Sequence, residues 1–277
     1  MVSPLLLVLV LMSTTLAMFA QAQKVRTPAP KYLDTPLDLA WDRLPPHFLG
    51  HDIIGLYSAA KRLQGAEKAE YETSDQFKKR IEGAEFEFFM GSASENLLAF
   101  ITPAISKYDA DTGILRMGVK LADPGGAQTM PAIVVWRVEE SRNFVATNVY
   151  GARVPAHKAH VDSYQVAVDN AGAFPVEVIG TGDDGGSKDL IVASVRTSVD
   201  EARRIKATLS GLAICAMKKG KPLTSEDSIL QAATFDHPEE YSEDMHFLNT
   251  SLVAIWFFDE SGRVFARVKP QLFIHTP

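Results

Sequence analysis

Ile105-Ser-Lys-Tyr-Asp-Ala-Asp-Thr-Gly-Ile-Leu-Arg-Met-Gly-Val-Lys-Leu121 reads as two strands around a tight turn. The runs at 105–108 and 114–121 are apolar or alternating. Between them lies Asp109-Ala-Asp-Thr-Gly113, where an Asp can bond its own backbone two residues on and a Gly supplies positive φ. So short a connection returns the chain antiparallel, because a parallel return needs a crossover of roughly a dozen residues or more. The same pattern recurs at 132–138, 144–150, 164–168, 174–179, 190–195, 212–217, 247–258 and 264–268, with turns such as Asp123-Pro-Gly-Gly126 between runs.

Upstream the period is helical. From 51 to 63, Ile53, Ile54, Leu56, Tyr57, Ala60 and Leu63 recur at i, i+3 and i+4, after Pro45 and Pro46 and before Gly65. A second helix begins at Thr73, which stands at capping-box spacing from Gln76; Phe77 and Ile81 form its apolar side and Gly83 ends it. Ala84, Phe86 and Phe88 then alternate with Glu85 and Glu87, a change to period two. One later helix is expected near 199–210. There Ser198 and Glu201 form a second capping box, and Ala202, Ile205 and Leu209 oppose Arg203, Arg204 and Lys206. No regular strand-helix-strand alternation occurs, so the expected class is α+β: a predominantly antiparallel β-sheet with two N-terminal helices and one helix near 199–210.

The ends of the chain carry a different signal. Residues 5–12 are unbroken aliphatic, and Ala20-Gln21-Ala22 is a small-x-small site, so 1–22 read as a signal peptide although they hold no Lys or Arg. Residues 23–36, with Pro28, Pro30 and Pro36 among basic residues, read as an extended leader, and 37–277 as the α+β domain, with a possible subdivision near 155–162. No later apolar run reaches the roughly 20 residues of a membrane span, so no transmembrane segment is expected after signal cleavage. The expected location is periplasmic or extracellular. Cys215 is the single cysteine, so such a fold has no internal disulfide and rests on its core. The 277 residues are 46 % apolar and carry 28 basic against 34 acidic groups, a formal charge of −6. That excess of acid argues against nucleic acid as a partner.

The segment Glu70-Tyr-Glu72-Thr-Ser-Asp-Gln-Phe77-Lys-Lys-Arg80 resembles one found ahead of a β-rich domain in bacterial exported proteins of unknown function. Tyr108-Asp109, Asn148-Val-Tyr-Gly151-Ala-Arg-Val154 and residues 255–259 with Gly262 and Val264 are similar to later landmarks of those proteins. The resemblance implies export and brings no catalytic residues. On their own chemistry, Glu70 and Glu72 precede a helix start, and Arg80 can return to one of them. The trio serves either as a charge-paired helix entrance or as a binding surface.

Three further clusters invite chemistry. His157-x-x-His160 with Asp162 could surround zinc if helical spacing brought the imidazoles together, although the stretch reads as a solvated loop. His47 and His51 with Asp52 allow the same reading or a plain helix entrance. Residues 235–246 hold Asp236, His237, Glu239, Glu240, Glu243, Asp244 and His246 without any Lys or Arg. That run is either an exposed acidic loop or short helix, or a site for a cation or basic partner. Gly180-Thr-Gly-Asp-Asp-Gly-Gly186 lacks the Lys-Ser/Thr of a phosphate loop and reads as a hairpin tip. No cofactor is expected, and no nucleophile elbow occurs. The leading expectation is an exported binding or interaction module whose partner is an envelope protein or small ligand, with residues 247–258 as an edge for strand addition. A metal-assisted hydrolase or other enzyme with a His/carboxylate pocket, and a purely structural envelope protein, are the alternatives.

Overall fold

The computed structural model describes residues 31–88, 97–122, 129–147, 151, 153–179, 188–217, 222–234 and 237–271. Residues 1–22, expected to be a signal peptide, most of the expected leader at 23–36, the expected turn at 123–126, residues 148–150, the expected tip at 180–186 and Asp236 lie outside them. In chain order come α1 (Ile53–Gln64), α2 (Ser74–Phe88), β1 (Leu97–Asp109), β2 (Ile114–Leu121), β3 (Ala132–Thr147), β4 (Arg153–Val168), β5 (Val176–Ile179), β6 (Lys188–Arg196), α3 (Val199–Thr208), β7 (Ser210–Ala216), β8 (Thr224–Gln231), β9 (Glu239–Phe258) and β10 (Val264–Val268). The fold is α+β and rich in strand. Its ten-stranded sheet runs β3-β4-β9-β7-β1-β2-β6-β5, with β8 and β10 also on β9.

The β1–β2 hairpin forms as its turn chemistry dictates. Asp109 pairs with Ile114, Asp109 Oδ1 accepts the Asp111 N–H at 3.0 Å, and Gly113 takes φ 67°. The helix starts are equally local. Thr73 N–H donates to Gln76 Oε1 at 2.8 Å while Gln76 N–H donates to Thr73 Oγ1 at 3.2 Å, and Ser198 caps α3 through the Glu201 N–H. α2 does not stop at Gly83; it runs on to Phe88. The alternation of Phe86 and Phe88 with glutamates is therefore helical, since Glu and Ala favour a helix and one Gly costs only about 1 kcal/mol there.

β9 organises the rest. Its first half pairs with β4 on one side and β8 on the other; its second half pairs with β7 and β10. The β4–β9 ladder is the one parallel pair among the described strands. Of residues 247–258, expected to offer an edge, 247–248 and 255–258 have strands on both sides, and between them the Asn170 side chain takes up the Leu252 N–H and carbonyl opposite β7. Residues 155–162, read as a possible subdivision, lie inside β4 between β3 and β9.

Three apolar clusters pack on this sheet, the smallest formed by Ala132, Ala167, Met245 and Phe247. On one face α1 and α3 lay Ile53, Tyr57, Ala60, Ala202 and Ile205 on Phe100, Met117, Leu248 and Phe257. On the other, Leu37, Leu44 and Phe48 from the segment before α1 cover Ala254, Trp256 and Phe258. His51 ties that segment down: Nδ1 accepts the Ala99 N–H at 2.9 Å and Nε2–H donates to the Thr35 carbonyl at 2.9 Å. Burial holds its pKa below the ordinary value, as suits a neutral, fully bonded ring. No helix among the described residues is long and apolar enough to cross a membrane.

Candidate functional site

Alternation along paired strands puts every second residue on one face. On the face covered by α1, β4 presents Lys158, His160, Asp162 and Tyr164, β9 presents Glu240, Ser242, Asp244 and His246, and β8 presents Glu226 and Ser228; the registers align Tyr164 with His246 and His246 with Glu226. α1 crosses only part of this surface, so the sheet is apolar toward Leu248 and polar toward Glu240.

The boundary between the two regions is a compact cluster. The Tyr57 hydroxyl and the Lys61 ammonium, one turn apart on α1, both donate to Glu226 Oε1. Glu226 Oε1 stands 3.5 Å from His246 Nδ1, and His246 Nε2 stands 3.0 Å from Asp162 Oδ1. Lys61, Glu226, the His246 ring and Asp162 follow one another along the row. Both imidazole nitrogens face carboxylate oxygens, and neither contact has hydrogen-bond alignment: Asp162 Oδ1 and His246 Nδ1 are buried atoms without such a partner.

Aromatic rings frame the row. Tyr164 lies 4.7 Å from His246, 5.4 Å from Tyr57 and 5.6 Å from Trp136, centroid to centroid, the last two edge to face. The Lys61 ammonium first and the Tyr57 hydroxyl second hold the Glu226 carboxyl at about 2. Burial first and the Glu226 carboxylate second push the Tyr57 hydroxyl well above its ordinary value. A cleft of about 410 Å³ opens on the far side of Trp136, lined by Ile53, Ile54, Ile101, Pro103 and Val135.

The residues singled out from sequence are distributed as follows. His157, His160 and Asp162 are not in a loop but in β4, and strand alternation turns His157 to the opposite face, where its Nδ1 meets Asn143 Oδ1 at 3.0 Å. The three cannot surround one ion, and no group of three His, Cys, Asp or Glu among the described residues is placed to hold a metal. His160 Nδ1 instead meets Ser242 Oγ at 3.0 Å, with Asp244 Oδ2 at 3.9 Å from Nε2. Beside this Ser/His/Asp arrangement β4 and β9 each have strands on both sides to take up their backbone N–H groups.

The acidic run is not a loop or helix either: Glu239, Glu240, Glu243, Asp244 and His246 all belong to β9. Glu240 pairs with Lys158, while His237 is exposed in the turn before β9, where its N–H donates to Thr234 Oγ1 at 3.1 Å. Glu72 and Arg80 meet each other. Arg80 donates twice to the Glu72 carboxylate, both at 2.9 Å, and once to the Glu67 carbonyl at 3.0 Å. Arg80 holds Glu72 at about 2. Glu70 stays exposed in the turn before them.

Sequence reasoning joined Asp162 and His246 to different clusters and passed over Tyr57, Lys61, Tyr164 and Glu226 as site residues. The usable signal was the two-residue spacing of Lys158, His160, Asp162 and Tyr164 around Ala159, Val161 and Ser163, which is a strand face. No family model, no curated protein and no solved structure matches the chain.

Proposed function

We propose that this chain is an exported interaction module of the cell envelope, which binds a positively charged partner through the polar part of the β4-β9-β8 sheet. One observation carries the reading: β8 holds Glu226 and Asp227 and the adjoining half of β9 holds Glu239, Glu240, Glu243 and Asp244, with no Lys or Arg on either. Lys61 meets Glu226 and Lys158 meets Glu240, so the excess of acid lies with Glu239, Glu243 and Asp244, and a cationic partner would offset it. The apolar start of the chain and its small-x-small site support export. The test is crosslinking of the tagged protein in its own cells against an unrelated exported control. A near-stoichiometric partner that is lost from the Glu239→Lys/Asp244→Lys double variant is expected. Recovery of the protein alone, or of the same partner by the double variant, overturns the reading.

A further inference from the structure

We infer that the outer edge of β8 is a strand-addition site for an extended segment of about six residues, basic along one half and apolar along the other. The inference rests on the interaction reading above and adds to it the manner of binding and the chemistry of the guest.

The exposed edges differ in how they are defended. β5 and β10 have 4 and 5 residues, too few to template a guest. β3 is long, but its exposed stretch carries Arg137, Glu139, Glu140 and Arg142, charges of both signs of the kind that block edge-to-edge pairing. β8 has 8 residues and contains no Lys, Arg or Pro. Its last residues include Ile229, 42 % exposed, and Leu230, 73 % exposed, whose side chains alternate onto opposite faces of the sheet. Apolar residues bare on both faces of an edge strand are what a guest strand covers.

The edge already accepts an amide at its start. Gln64, the last residue of α1, takes the Thr224 N–H on Oε1 at 2.9 Å and donates from Nε2 to the Thr224 carbonyl at 3.3 Å. One side chain thus reproduces the paired donor and acceptor of a neighbouring strand. It also fixes the phase: the backbone of Thr224 points outward, and so, two and six residues on, do those of Glu226 and Leu230. Among the described residues no strand pairs with this edge beyond Gln64. Ser228, outward as well, donates its N–H to its neighbour Asp227 at 2.8 Å, an exposed contact that a guest displaces. Residues 226–231 span roughly 20 Å, room for a strand of ordinary length.

Charge sets the rest of the guest's chemistry. Glu226 and Asp227 stand at one end of the edge, across from His246 and Met245 of β9, and Ile229 and Leu230 stand at the other, across from Glu243 and Ser242. A lysine or arginine belongs at the first end and a branched apolar residue at the second.

The test uses the full exported chain and labelled peptides of sequence Lys-Arg-Thr-Val-Ile-Thr and its reverse, each with a counterpart carrying glutamate for the two basic residues. Binding is read by fluorescence anisotropy. One basic peptide should bind at least tenfold more tightly than its glutamate counterpart. Leu230→Pro, which removes an outward N–H and spares the β8–β9 ladder, should weaken that binding at least tenfold with an unchanged circular-dichroism spectrum. Ile229→Lys, at an exposed side chain, is the second variant and should weaken it likewise. Equal binding by Leu230→Pro and Ile229→Lys overturns the edge, and equal binding of the glutamate peptide overturns the charge assignment. A dimer of the chain that Leu230→Pro dissolves gives the edge to a second copy and overturns the basic guest. If no peptide binds while partner capture still depends on Glu239 and Asp244, strand addition falls and the interaction reading stands.

Discussion

Replacing Glu226 by Gln removes one charge from the middle of the row that fastens α1 to the sheet and leaves an oxygen for the Tyr57 hydroxyl. The carboxyl falls from its ordinary 4.5 to about 2 in the folded chain. That change alone sets a ceiling of roughly 3 kcal/mol, at about 1.4 kcal/mol per tenfold. Its side chain is 47 % exposed and Lys61 is 56 % exposed, so water screens most of the interaction. About 1 kcal/mol should remain, or roughly 2–4 °C in Tm for a chain of this size. The sign follows from linkage. A carboxyl whose pKa drops on folding contributes its stability above the unfolded value, and loses it as pH falls through the folded value. Glu226→Gln should therefore be about 1 kcal/mol less stable than wild type at pH 7, with the gap closing between about pH 4.5 and pH 2. Urea midpoints followed by circular dichroism at pH 7, 5, 4 and 3 measure it. A gap that stays constant with pH, or a variant as stable as wild type at pH 7, would show that the charge does not hold α1 in place.

Gly262→Ala should cost at least about 2 kcal/mol, because φ is +79° and a Cβ would stand 2.1 Å from the Leu44 carbonyl oxygen, backbone that cannot give way; scanning calorimetry that shows no loss would contradict the bridge between residues 43–44 and 262–263. Gly83→Ala should do the reverse, raising the stability of α2 by up to about 1 kcal/mol in amide exchange, since nothing lies within 4 Å of the added methyl and the position is helical. If residues 84–88 formed a strand instead, no such gain would appear. Cys215 is buried and its thiol is pushed up to about 12 by burial, so Ellman's reagent should react slowly with the native protein and at once in guanidinium. Arg80→Ala should lower the melting temperature by freeing the Glu72 carboxylate, and an unchanged value would leave the pair without a structural role.

How far the sequence could be read depended on whether a structure is made locally. The Asp109–Gly113 turn and both capping boxes close within four residues, and the spacing of their side chains was sufficient to find them. β8 was invisible because Thr-Ser-Glu-Asp-Ser-Ile-Leu-Gln has neither alternation nor β-propensity; the strand exists because β9 offers it a ladder. The acidic start of β9 was read as a loop for the same reason, and β4 and β8 supply its hydrogen bonds from both sides. β3 was read as two strands parted at Glu139-Glu-Ser-Arg-Asn143, yet its pairing with β4 is continuous across them. The Tyr57–Glu226–His246–Asp162 row draws on four elements and spans 189 residues of sequence from Tyr57 to His246. No short window could contain it.

β9 also shows why the polar half of the sheet is hard to explain by folding alone. Its second half, from Leu252 to Phe258, is buried on both faces and supplies Trp256 to one core and Phe257 to another. Each fully buried side chain of that size contributes roughly 1.5–3 kcal/mol, so this half secures the strand's place. The first half adds little of that kind on the α1-facing side, where Glu240, Ser242 and Asp244 follow one another. Replacing partly buried ion pairs by apolar residues is often neutral or stabilising, so stability alone gives no reason to keep such a row of charges beside the Asp162 and His246 pair. The proposed contact with a partner would account for a row that folding does not require and that continues to an edge with bare Ile229 and Leu230. On that proposal the same strand builds the core with one half and presents the binding surface with the other, and β8, paired with β9 on one side only among the described strands, is where an extended guest would approach.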